Sequence, residues 1–149
     1  MKNAEKLKNE FIKHLDEKEI NYELDGDHIY FWQICKYNHS VFVNCMFVIS
    51  DDSDQIEICT TILDDVTDYM AALEYCNTLN KNVYLQHYVS ARGEEEKEYC
   101  ICMASVLYCA NNTISLDDVI DEIYTHFHIT DNNYSQLINI VTKGGQDGE

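Results

Sequence analysis

The sequence predicts an α+β domain. Its expected order is a helix, a three-strand antiparallel meander, a second helix, a two-strand hairpin and a long C-terminal helix, with a five-stranded sheet packed by the helices. Three observations carry this. Residues 3–19, 69–82 and the stretch from Ser115 place apolar side chains at helical spacing. Residues 28–35, 41–49, 55–63, 83–89 and 99–107 are rich in β-branched and aromatic side chains. Short polar turns separate the strands within each group, which makes them antiparallel hairpins.

Each element follows from its residues. In the first helix Ala4, Leu7, Phe11 and Leu15 share a stripe with Ile12 beside it, and Lys and Glu fill the opposite face. Residues 21–26 read as a connection, with Asp25-Gly26 marking a turn. The first strand, residues 28–35, runs through Ile29, Tyr30, Phe31 and Trp32. Residues 37–40 are a hairpin turn, and residues 41–49 are an almost wholly apolar second strand. Residues 51–54, Asp-Asp-Ser-Asp, turn the chain again. The third strand alternates, with Ile56, Ile58 and Ile62 on one side and Glu57, Cys59 and Thr61 on the other. Such alternation belongs to an edge strand or to an open sheet face.

The second helix carries Tyr69, Leu73, Cys76 and Leu79 on its stripe, with Thr67 or Asp68 as its cap and Asn80 and Asn82 at its exit. Residues 83–89 form the fourth strand and residues 92–97 a polar turn. The fifth strand, residues 99–107, is apolar on both faces apart from Ser105, the pattern of an internal strand covered by helices or by a partner chain. Ser115 and Asp118 make a capping-box pattern for the last helix, and Asp117 and Asp118 suit its positive end. Leu116, Val119, Ile120, Ile123 and Phe127 continue in register to Tyr134, Leu137, Ile138 and Val141, so one long helix is expected, kinked near residues 128–133. Residues 1–143 are then a single domain and residues 144–149 a disordered acidic tail.

Composition narrows the function. The 149 residues carry 10 Lys plus Arg against 27 Asp plus Glu, a net charge of −17. That balance disfavours nucleic acid, whose binding rests on cationic side chains releasing counterions, and anionic membrane surfaces. A basic polypeptide partner or a cation suits it. Seven cysteines follow an N-terminus with no apolar run, so reduced thiols and a cytoplasmic location are expected. No window is apolar enough for a membrane span.

The element order, with Leu73-Glu74-Tyr75-Cys76-Asn77-Thr78-Leu79-Asn80 closing a helix before a strand, resembles the YbjN-like family of bacterial proteins. The Asn77-x-Leu79-Asn80 signature and the long last helix carry the likeness over nearly the whole chain. The family is similar in fold to type III secretion chaperones. The resemblance implies an α+β, cytoplasmic, non-enzymatic protein connected with sensory-transduction regulation. By way of the chaperones it also implies a small acidic homodimer that binds a polypeptide.

No catalytic motif stands against this. A glycine-rich phosphate loop, a Gly-x-Ser-x-Gly elbow and a His-Glu-x-x-His pair are all missing, so no catalytic residue, metal ligand or cofactor is assigned. Tyr30 and Trp32 share one side of the first strand, and Tyr84 and Tyr88 one side of the fourth. On a sheet face without a covering helix these four would anchor a polypeptide partner or a second copy; under a helix they would be core. Cys100 and Cys102 share a strand face and, with one more cysteine, are the alternative thiol or metal site, although no second ligand pair of zinc spacing follows. His126 and His128, near Asp131, splay by about 200° on a helix and are expected to be exposed polar residues. Residues 51–54 lack the spacing of a calcium loop. An enzyme without a recognisable motif is the remaining alternative.

Overall fold

The structure is a computed structural model; it describes residues 3–35, 40–48, 55–82, 85–92, 98–108 and 115–133. Three helices, α1 (Asn3–Glu17), α2 (Tyr69–Asn82) and α3 (Leu116–Asn132), combine with six strands. The strands are β1 (Glu23–Asp25), β2 (His28–Ile34), β3 (Ser40–Val48), β4 (Gln55–Val66), β5 (Gln86–Arg92) and β6 (Glu98–Tyr108). They form one antiparallel sheet in the order β1-β2-β3-β4-β6-β5.

The α+β class and the expected element order hold, with one strand more than the five expected. Residues 23–25 lie in the stretch read as a connection, and they pair with β2 from Glu23↔Tyr30 to Asp25↔His28. Three charged or exposed residues leave no apolar alternation to read, so nothing marked them as a strand. Gly26, with φ +59°, occupies the first central position of the two-residue hairpin loop, where a primed turn needs positive φ. The expected continuation of the last helix through Val141, the tail, the Asp51–Asp54 turn and Tyr84 lie outside the described residues.

All three helices pack on the same face of the sheet, and the alternation of each strand decides what meets them. Ile29 and Phe31 of β2, Val43, Cys45 and Phe47 of β3, and Ile56 and Ile58 of β4 are buried against Phe11 and Leu15 of α1 and Val119, Ile123 and Phe127 of α3. Phe11 touches both Phe31 and Phe47, with ring centroids 6.4 and 5.6 Å away. A second cluster lies under α2. There Ala72, Tyr75, Cys76 and Leu79 meet Ile62 and Val66 of β4, Ile101 and Met103 of β6, and Leu85. Register shifts after Thr61 and after Leu63 bend the end of β4 toward this second cluster.

The helix ends are capped as the residues suggest. Asp68 accepts the Ala71 amide at 3.0 Å, which makes it, of the two candidates, the cap of α2. Ser115 accepts from the Asp117 amide at 3.2 Å. Asp117 also receives Nζ of Lys18 and Nε2 of His14, each at 2.8 Å, and so ties the end of α1 to the start of α3. At the exit of α2 the Asn80 amide reads the backbone of β5. It accepts from the His87 N–H at 2.7 Å and donates to the His87 carbonyl at 2.9 Å. The side chain thus imitates a neighbouring strand for one residue of an edge strand. Leu79 beside it is buried.

Candidate functional site

The face opposite the helices is uncovered among the described residues. Register defines its rows. One runs Tyr30, Asn44, Cys59, Ala104, Gln86 across five strands, and another runs His28, Met46, Glu57, Val106. Trp32 faces Phe42, and Tyr108 faces Gln55. Several of these side chains are unusually open for their type: Ile34 is 71 % exposed, Phe42 57 % and Tyr108 61 %. From Gln55 to Thr61 on β4, and on the matching stretches of its neighbours, Glu57 is the one carboxylate among the described outward side chains. Acidic groups return at the rim, where Glu23 and Asp25 of β1 stand opposite Tyr30 and His28. An apolar, aromatic centre depleted of charge is the compositional mark of an interface core.

The structure places Tyr30, Trp32 and Tyr88 on this one face. Trp32 and Tyr88 are 44 % and 37 % exposed, while Tyr30 is half-buried and stacks on His28 at 5.8 Å. They do not form one cluster. Strand order puts β2 four positions from β5, about 19 Å at the usual strand spacing. Trp32 is instead grouped with Phe42 and Ile34, and Tyr88 with cysteines. The fifth strand expected from the sequence, now β6, is internal as expected, between β4 and β5, yet among the described residues helices cover just one of its faces.

The cysteine group was half legible. Cys100 and Cys102 share the outward face of β6 with sulfurs 3.8 Å apart. The third member is Cys59 of β4, one diagonal step from Cys102 because Cys59 pairs with Ala104 and Thr61 with Cys102. Tyr88, opposite Cys102, reaches over β6, and its hydroxyl lies 3.4 Å from Cys59 Sγ. Hydrogen bonding from Cys102 and from Tyr88 holds the Cys59 thiol down to about 6 against the opposing effects of burial and of Glu57. The same pairing, with burial, pushes Cys102 strongly upward. Elsewhere burial alone pushes Cys76 up to about 11, and burial and Asp131 raise Cys35. No group of three or more His, Cys, Asp or Glu among the described residues is arranged to hold a metal ion.

His126 corrects an expectation. It is fully buried rather than exposed, whereas His128 is exposed as expected. Its Nδ1 lies 2.7 Å from Thr60 Oγ1 and its Nε2 2.9 Å from Ser105 Oγ. Two hydroxyls, each able to donate or accept, satisfy a neutral imidazole completely. Burial first, and His87 second, lower His126 to about 4. The Ser–His contact has the outline of a nucleophile and its base, but an imidazole held neutral so far below pH 7 is a poor base, and it is sealed in the core. Nearby, buried His87 donates Nδ1–H to the Leu85 carbonyl at 3.0 Å, and its Nε2 and the Tyr75 hydroxyl have no hydrogen-bond partner among the described residues. Nothing in a lone His-x-His signals this: Thr60 and Ser105 are 66 and 21 residues away in sequence.

A cleft of about 390 Å³ opens beside the exposed face, where Leu15 and Ile20 meet Trp32, Ile120 and Tyr124. Trp32 therefore borders both the open sheet and this cleft. No family model, curated protein or solved structure matches the chain.

Proposed function

We propose that this chain is a non-enzymatic, cytoplasmic interaction domain that binds an amphipathic, basic polypeptide segment on the uncovered face of its sheet. One observation carries the reading: the three helices crowd one face, and the other face presents aromatic and aliphatic side chains with almost no charge in a chain of net charge −17. Isolated apolar side chains on a surface need no explanation, but a contiguous patch does.

Charge selects among occupants. The acidic body attracts a cationic segment and raises its rate of encounter, while its apolar residues settle on Trp32, Phe42 and Ile34. A second copy meets the same −17, so self-association is the less favoured use of this face, although the YbjN-like resemblance supports a dimer. That resemblance also supports a polypeptide ligand. Size agrees with a segment rather than a large subunit. The face from β2 to β5 is about 19 Å wide and about 20 Å along the strands, roughly 400 Å² in projection, against the ~800 Å² per partner of a standard interface. No disulfide joins the described cysteines, which suits a reducing compartment.

Trp32, the single tryptophan of the chain, supplies the test. Peptides alternating basic and apolar residues are titrated while its emission is followed. Binding shifts the emission to the blue, the Phe42→Glu variant loses the response, and acidic peptides of the same apolar content give none. Equal response to acidic and basic peptides, or none to any, refutes the reading. Concentration-dependent emission with matching dimer formation in sedimentation assigns the face to a second copy.

A further inference from the structure

We propose that Cys59 and Cys102 form a peroxide-reactive thiol site on the open face of the sheet, with Cys59 as the attacking sulfur and Cys102 as the resolving one. The proposal is independent of polypeptide docking.

Geometry is its first support. Pairing of β4 with β6 sets Cys59 and Cys102 one diagonal step apart on the same face, and Cys100 places a third sulfur 3.8 Å behind Cys102. The Tyr88 hydroxyl, 3.4 Å from Cys59 Sγ, is within hydrogen-bonding reach and can donate to the sulfur once it is a thiolate. Donors around a sulfur stabilise the thiolate, which is the reactive form. Access is the second support. Cys59 is half-buried on a face that no helix covers among the described residues, and its in-register neighbour on β6 is the small Ala104, so a hydroperoxide can approach. Contrast is the third. Cys35, Cys45 and Cys76 are buried in the core beneath helices, the setting in which a thiol is inert.

The chemistry balances in two steps. The Cys59 thiolate attacks the terminal oxygen of a hydroperoxide ROOH. The S–O bond forms, the O–O bond breaks, and the alkoxide takes a proton from solvent to leave as ROH. Cys59 is now a sulfenic acid, oxidised by two electrons, and the peroxide is reduced by two. The Cys102 sulfur then attacks the sulfenic sulfur. The S–S bond forms, the S–O bond breaks, and the departing hydroxide leaves as water with the Cys102 proton. Diagonal neighbours across antiparallel strands sit about 7–8 Å apart at Cα, just beyond the usual range for a disulfide, so the product must draw β4 toward β6 and is strained and easily reduced.

The whole chain, reduced and then treated with equimolar hydrogen peroxide, tests this. In the wild type the thiols titrated after unfolding fall from all seven to five, and peptide mapping finds Cys59 joined to Cys102 with a mass loss of about 2 Da. In Cys102→Ser the disulfide is lost and dimedone labels Cys59. In Cys59→Ser, shown to be folded by circular dichroism, labelling disappears from the cluster. Tyr88→Phe slows the reaction without changing its product. Labelling spread evenly over the cysteines, or a principal disulfide between Cys100 and Cys102, overturns the assignment.

Discussion

Acid should unfold this protein partly through one histidine. His126 is fully buried between β4, β6 and α3, and both of its nitrogens are satisfied by hydroxyls in the neutral form. In the unfolded chain it titrates at the ordinary value of 6.5; in the fold it is lowered to about 4, chiefly by burial. Between those values the unfolded state holds a proton that the native state refuses. Unfolding is therefore favoured as pH falls through 6.5, and the loss is complete below about 4. Each pH unit of separation is worth about 1.4 kcal/mol, so the full effect is about 3 kcal/mol, and about 2 kcal/mol of it is lost between pH 7.5 and pH 5. Urea unfolding at these two pH values reads it as a midpoint shift of about 1 M. His87, which burial shifts in the same direction, and the other ionisable groups of the chain add to the acid response. The diagnostic is therefore the difference between wild type and His126→Gln, in which those groups remain. The variant should lose about 2 kcal/mol less stability on acidification than the wild type. If the two midpoints move in parallel between these pH values, His126 is not held neutral in the fold and the reasoning fails.

Three further outcomes follow from the packing. Phe11→Ala removes the ring that touches Phe31 and Phe47 in the first core, and should cost about 3–5 kcal/mol in urea unfolding. Asn80→Ala deletes both bonds to the His87 backbone and should cost about 1–3 kcal/mol, with faster hydrogen exchange confined to β5 and the end of α2. Gly26→Ala meets no atom within 4 Å but must hold φ +59°, so its cost should be about 1–2 kcal/mol and purely conformational; a D-alanine at the same position, introduced by chemical synthesis, should restore stability.

Much of this fold is written in short-range signals. The alternation of Ile56, Ile58 and Ile62 against Glu57, Cys59 and Thr61 marks two chemically different faces of one strand, and the structure separates them as expected. Ser115 and Asp68 announce helix starts because a cap acts within one turn. What was not legible depends on partners distant in sequence. Cys59 meets Cys102 at a sequence separation of 43 residues, through a strand order that places β6 rather than β5 beside β4. His126 gains its hydroxyl partners from two different strands. Local pattern ranks a polar residue as exposed unless something contradicts it, and here the contradiction lies in tertiary pairing. Strand β1 escaped for a different reason: three residues held by register to a neighbour need no propensity of their own.

The two unusual chemistries of this protein share a single cause, the two-residue period of the strand. Thr60 points inward to the buried imidazole, and Cys59 beside it points outward to the thiol cluster. His87 is sealed beneath α2 while Tyr88 reaches across the open face. Met103 packs in the core while Cys102 stands on the other side. A slip of one residue in β4, β5 or β6 would exchange that strand's set, driving its cysteines or Tyr88 toward the helices and leaving Thr60, His87 or Met103 in solvent. The apolar cores forbid that slip, since Ile56, Ile58, Ile101 and Met103 would leave the interior with it. Burial of aliphatic side chains on one face thus sets the placement of reactive and aromatic side chains on the other. The open face inherits a fixed geometry, although among the described residues no helix packs on it.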